Sequence, residues 1–176
     1  MSGTKKRILI FILLIILAIV IICYSGVRKY SSDITSREVA SIEKQLDDIN
    51  ARSLGDDTRS YSHIKVIGES KGDDQDKKYF VLYQALEFYI ADNNKLTDEV
   101  EDDDVSYPAV VYAEKKQDSV KVVGFDTAYD DDNERNEDFP LLLLKYAEMK
   151  SGSLRASDHY KADRERAYKE LVEDRK

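Results

Sequence analysis

An α+β domain carried on one transmembrane helix is the architecture that the sequence predicts. Three observations predict it: residues 8–27 hold no charge, residues 61–125 break into strand-like segments, and helical patterns stand on both sides of those segments.

The first element is the apolar run. Ile8–Ile22 is fifteen apolar residues without interruption, and the uncharged stretch continues to Val27, twenty residues in all. At 1.5 Å per residue that is about 30 Å of helix, the thickness of a hydrocarbon core. Fourteen of the fifteen are Ile, Leu, Val or Phe, and at roughly 0.3–0.6 kcal/mol each they favour insertion by about 4–8 kcal/mol. Lys5, Lys6 and Arg7 precede the run, while Arg28 and Lys29 follow it. The positive-inside rule therefore favours a cytoplasmic tail at 1–7 and everything after the span outside. A cleaved signal peptide is the rival reading, but Cys23 and Ser25 make a poor cleavage site, and a lipoprotein signal needs a small residue where Ile22 stands. Residues 28–33 read as a tether and 34–176 as the extracytoplasmic domain.

Beyond Lys29 there are 22 basic and 35 acidic residues, net −13. That balance argues against nucleic-acid binding and against adhesion to anionic lipid. The single cysteine, Cys23, falls inside the predicted span of 8–27, so packing alone must hold the outer domain.

A helix is predicted over 33–54. Thr35 and Glu38 have the spacing of a capping box, and Ile34 and Val39 stand at the staple positions. Val39, Ile42, Leu46 and Ile49 then recur as one narrow stripe, and Gly55 follows the helix. Four strands of an antiparallel meander come next: Tyr61–Ile67, Tyr79–Ala91, Tyr107–Ala113 and Val120–Phe125. The last two are joined by a hairpin loop at 115–118. Tyr79–Ala91 is apolar on both alternating sets, and its Gln84–Glu87 centre also suits a helix; aromatic content and polar flanks favour a strand. The larger aliphatic set, Phe80, Leu82, Leu86, Phe88 and Ile90, is expected beneath the Val39/Ile42/Leu46/Ile49 stripe. Two helices finish the chain: Leu141–Ser151, bracketed by Pro140 and Gly152, and the charged Ala156–Glu173. This order predicts helices against one face of the sheet.

Chemistry-bearing patterns are sparse. Ser41 and Lys44 have the S-x-x-K spacing of penicillin-binding enzymes, and Ser157–Asp158 begins like that family's second motif, but no K-T-G is present. His63 and His159 are the only imidazoles and form no H-x-x-x-H or H-x-H pair. Neither a cysteine nucleophile outside the predicted span nor a Gly-rich phosphate loop is present. Alternate carboxylates at Asp130, Asp132 and Glu134 make the acidic loop the best candidate for Ca²⁺, although Arg135 stands at the EF-hand glycine position and Leu141 at its bidentate glutamate. A solvated loop is the simpler reading. Twelve tyrosines and no tryptophan point to recognition or to sheet packing, and Tyr79, Tyr83 and Tyr89, on one alternating set, are the candidate binding residues.

The stretch from Ser106-Tyr-Pro-Ala-Val-Val-Tyr-Ala-Glu-Lys to Val120-Lys-Val-Val-Gly-Phe, an acidic loop, and Phe139-Pro140 opening a helix resembles a known group. It is similar to small, mostly uncharacterised exported or membrane-anchored proteins of Gram-positive bacteria, over about a third of the chain. The chain has Asp130-Asp131-Asp132-Asn133 where that group has an Asp-Gly turn. The order of elements is also similar to cystatin-like and NTF2-like domains, an analogy of fold that carries no function. The resulting expectation is a non-enzymatic, membrane-tethered module that binds a protein or envelope component. The alternatives are a small-ligand-binding or hydrolytic NTF2-like or cystatin-like domain, and an accessory subunit of a secretion or conjugation machine. An enclosed apolar pocket favours ligand binding or hydrolysis, and an open concave sheet the interaction module.

Overall fold

The computed structural model describes residues 3–70, 76–91, 95–99, 106–116, 119–129 and 134–173, with the side chains of 3–7, 22–24, 27, 99 and 156 excepted. The chain is an α+β protein with four α-helices and a five-stranded antiparallel sheet among the described residues. Helix α1 spans Gly3–Arg28 and α2 Ser36–Ala51. Strands β1 (Thr58–Glu69), β2 (Asp76–Ile90), β3 (Leu96–Glu99), β4 (Tyr107–Lys116) and β5 (Ser119–Thr127) follow, then α3 (Leu141–Lys150) and α4 (Ala156–Tyr168), which runs on into a π-turn at Lys169–Glu173.

Local chemistry accounts for the element ends. The capping box forms: Thr35 N donates to Glu38 Oε2 at 2.7 Å, and Glu38 N donates to Thr35 Oγ1 at 3.3 Å, so two otherwise orphaned donors are satisfied. Pro140 sits at the N-cap of α3 with extended backbone, and the helix begins at Leu141. The 79–91 segment is a strand, and the meander order β1-β2-β4-β5 holds. Strand β3, absent from the sequence expectation, pairs with the end of β2 from Glu87 to Ile90, while β4 pairs with its first half from Asp76 to Tyr83.

The layering departs from the expectation of helices on one face. Helix α2 covers one face, where Ile42 and Leu46 pack on Tyr79, Val81, Tyr83, Val111 and Val120. Helices α3 and α4 cover the other: Phe80 and Leu82 meet Phe139, Leu143 and Leu144, and Leu86 and Phe88 meet Ala167 and Leu171. The expected assignment of Phe80, Leu82, Leu86 and Phe88 to the α2 face is thus inverted. The physical reason is visible in β2, whose two alternating sets are both apolar: such a strand is buried on both faces.

Helix α2 also seals both outer strands of the meander. Ser62 N donates to Asp47 Oδ1 at 2.5 Å and Ile64 N to Glu43 Oε1 at 3.0 Å. One helical turn separates the carboxylates and one strand repeat the amides, so the two spacings match. On β5, Gln45 acts as a one-residue strand: its Nε2 donates to Val120 O at 2.9 Å and its Oε1 accepts from Val122 N at 2.9 Å.

Residues 28–33 lie against the domain. Glu69 N donates to Tyr30 O at 2.8 Å, and Ser32 Oγ donates to Glu69 Oε2 at 2.8 Å. Gly68 permits this approach, because a β-carbon there would stand 2.8 Å from Tyr30 O.

Helix α1 stands apart from the sheet. From Ile8 to Ile21 its large side chains are 45–66 % exposed on every side. Among the described residues no helix is long and apolar enough to cross a membrane.

Candidate functional site

The cluster richest in chemical groups lies where the edge of β1 meets α2 and α4. His63 projects from β1 toward α4, and His159 and Asp163, four residues apart on α4, face it. The two imidazoles stack with centroids 3.8 Å apart and 13° between planes, and His63 Nε2 is 2.6 Å from Asp163 Oδ2. Asp163 is buried, 7 % exposed. Gln84, paired with His63 across β1 and β2, is buried on the same face, and its Oε1 has no hydrogen-bond partner among the described residues. Beside the pair a surface cleft of about 270 Å³ is lined by Glu43, Asp47, Tyr61, His63, Asp163 and Arg166, among others.

Charge in this cleft is arranged by burial. Burial pushes the Asp47 carboxyl above its ordinary range, and the hydrogen bonds from Ser62 only partly offset it. Arg166 Cζ lies 4.5 Å over the Tyr61 ring while its Nε donates to Glu170 Oε1 at 2.9 Å. Burial, and then the neighbouring His63, hold His159 below its ordinary value of 6.5, against the opposing pull of Asp163, Asp158 and Glu43.

A lowered histidine pKa fixes the sign of a pH effect. The unfolded chain binds the proton more readily, so the contribution of His159 to stability is complete above 6.5 and is lost as pH falls through the lower folded value. Urea denaturation midpoints of the wild type should fall on acidification below 6.5, and His159→Gln should flatten that fall. An unchanged slope in the variant would show that the ring stack does not govern it.

An aspartate-oriented imidazole is one half of a nucleophile–base pair. The hydroxyl next to it in sequence does not complete the pair, since Ser62 Oγ lies on the other face of the sheet, accepting from Asn50 Nδ2 at 3.2 Å and 3.4 Å from Tyr83 Oη. Among the described residues no group of three His, Cys, Asp or Glu side chains could hold a metal ion.

The residues singled out by sequence fall elsewhere. Tyr79 and Tyr83 are core side chains, 0 % and 3 % exposed, so neither presents its ring to a partner; Tyr89 is half-buried near the end of β2. Asp130 and Asp132 lie outside the described residues, and Glu134 is exposed just after them. Ser41 Oγ accepts from Gln45 Nε2 at 3.3 Å within α2. The histidine pair was missed because 96 positions separate its members; the available signal was the i, i+4 spacing of His159 and Asp163 on a predicted helix. No family model, no curated protein and no solved structure matches the chain.

Proposed function

We propose that this chain is a membrane-tethered, non-enzymatic interaction module, with α1 crossing a bilayer once, Met1–Arg7 in the cytoplasm and the α+β domain outside, where it binds a protein or envelope component. The observation that carries the reading is α1 itself. Its fourteen described side chains from Ile8 to Ile21 are large and apolar, Ala18 excepted, and open to the surroundings on all sides. Water is a poor solvent for such a surface, since each large side chain left exposed forgoes roughly 1.5–3 kcal/mol. A helix apolar all round belongs in a core or in lipid. The resemblance to anchored Gram-positive proteins supports the same placement. The non-enzymatic part is supported by an imidazole pair whose neighbouring hydroxyl faces away, and by clefts that are open to the surface rather than enclosed.

Alkaline carbonate extraction tests the anchor. The full chain should remain in the membrane pellet, and a reporter fused after Lys176 should be active only outside the cytoplasm. Extraction into the supernatant, or a mature soluble form starting near Gly26, would overturn the span.

A further inference from the structure

At the foot of α1 three cations from three separate elements converge on one cleft. It measures about 370 Å³ and is lined by Arg28 and Ser31, by Lys65 of β1, and by Tyr146, Lys150 and Ser153 at the end of α3 and just beyond, among others. Lys65 Nζ donates to Ser153 Oγ at 3.1 Å, and Lys150 Nζ lies 5.9 Å from the centre of the Tyr146 ring. Among the described residues, none of the ion pairs within 4.0 Å involves Arg28, Lys65 or Lys150. Three cations without a carboxylate are unexpected beside a domain that carries net −13 after Lys29. Like charges gathered this way repel one another, and an anion between them removes the repulsion.

The cleft also lies at a defined height. A β-carbon on Gly26 would stand 2.9 Å from Leu142 Cδ1, so the start of α3 is level with the last uncharged turn of α1. Leu141 and Leu142 are 57 % and 47 % exposed there, and Met149, farther along the same helix, is 77 % exposed. If residues 8–27 fill the hydrocarbon, Arg28 enters the headgroup layer, which is about 5–8 Å deep on each side. Exposed leucines then sit at the acyl boundary with cations just above them, the distribution found in interfacial helices.

We propose that this cleft binds the phosphate of an anionic phospholipid headgroup in the leaflet from which α1 emerges. Arg28, Lys65 and Lys150 supply the cationic donors, Ser31 and Ser153 supply hydroxyls, and Leu141 and Leu142 rest on the acyl chains. Arg28 can meet two phosphate oxygens at once, while the two lysines act as point charges. The height of the cleft rests on α1 being the span proposed above; its charge does not. The acidity of the remaining domain does not prevent this, because charges beyond about 8 Å are largely screened at physiological ionic strength.

The test uses the full chain in a non-ionic detergent. It is titrated with short-chain phosphatidylglycerol, short-chain phosphatidylcholine and free glycerol phosphate, and binding is read from the shift in melting temperature. With each cation near an anionic headgroup contributing roughly fivefold, phosphatidylglycerol should bind at least about tenfold more tightly than either of the others. Lys65→Gln with Lys150→Gln, both exposed, should reduce that affinity by about 25-fold, each variant being referred to its own lipid-free melting temperature because the contacts to Ser153 and Tyr146 are lost too. Lys121→Gln, exposed on β5, should leave the affinity unchanged. Equal affinity for the two lipids, or an unaffected double variant, would overturn the proposal. Glycerol phosphate binding as tightly as phosphatidylglycerol would make this a free-phosphate site and overturn the lipid assignment. Carbonate extraction remains a separate readout: lipid selectivity in a protein that carbonate strips from the membrane would sink the span alone, and absence of selectivity in a carbonate-resistant protein would sink the cleft alone.

Discussion

Tyr83→Ala should destabilise the domain by about 3–5 kcal/mol, the loss typical of a large ring removed from a packed core. The Tyr83 ring is 3 % exposed and lies between Tyr107 and Phe125, with centroids 5.2 and 4.7 Å away. Its hydroxyl accepts from Asn50 Nδ2 at 2.8 Å and lies 3.4 Å from Ser62 Oγ. Burial pushes the phenol above its ordinary pKa of 10, despite the opposing bonds from Ser62 and Asn50, so the hydroxyl keeps its proton and can donate to Ser62. Tyr83→Phe removes only the hydrogen bonds and should cost about 1 kcal/mol, because Asn50 retains Ser60 and Ser62 as partners. Chemical denaturation followed by circular dichroism separates the two. A Tyr83→Ala variant with an unmoved midpoint would mean that the ring is not part of the core, and would restore it as a surface residue.

On the opposite face, Phe80→Ala should cost a similar amount, about 3–5 kcal/mol, with a second effect that Tyr83→Ala lacks. Phe80 is 2 % exposed. It meets Tyr30 edge to face at 5.8 Å and 90°, and Phe139 at 5.1 Å. Tyr30 is one of the side chains that hold residues 28–33 to the domain, with Ser32, so its loss of a partner should raise protease cleavage between Arg28 and Asp33. A double-mutant cycle of Phe80→Ala with Tyr30→Ala should show coupling of about 0.5–1.5 kcal/mol. Strict additivity would show that the linker and the core are independent.

The elements read well from sequence where one local signal decided them. Thr35 and Glu38 start α2, Pro140 starts α3, and the hairpin residues join β4 to β5. Strand β3 escaped notice because Leu-Thr-Asp-Glu has neither the length nor the apolar alternation of a strand, and it exists through pairing with β2. The faces of β2 were inverted for a different reason. Side-chain size was used to choose the α2 side, but a buried tyrosine needs a partner for its hydroxyl. Asn50 supplies one at the end of the α2 stripe, and no aliphatic residue uses it. The histidine cluster and the basic cleft are each assembled from distant segments, so their geometry is a property of the fold and not of any motif.

The sealing of β1 and β5 by α2 limits the ways in which another protein can attach. A common form of recognition adds a partner's extended segment to a free sheet edge, with backbone hydrogen bonds providing the affinity. Here Glu43 and Asp47 already occupy the amides of Ile64 and Ser62, and Gln45 occupies both groups that an incoming strand would use at Val120 and Val122. At these positions strand addition requires α2 to withdraw, which would uncover Ile42 and Leu46, at 0 % and 1 % exposure. A partner that leaves the fold intact must therefore be recognised there by side chains, through shape and charge, and not by extending the sheet.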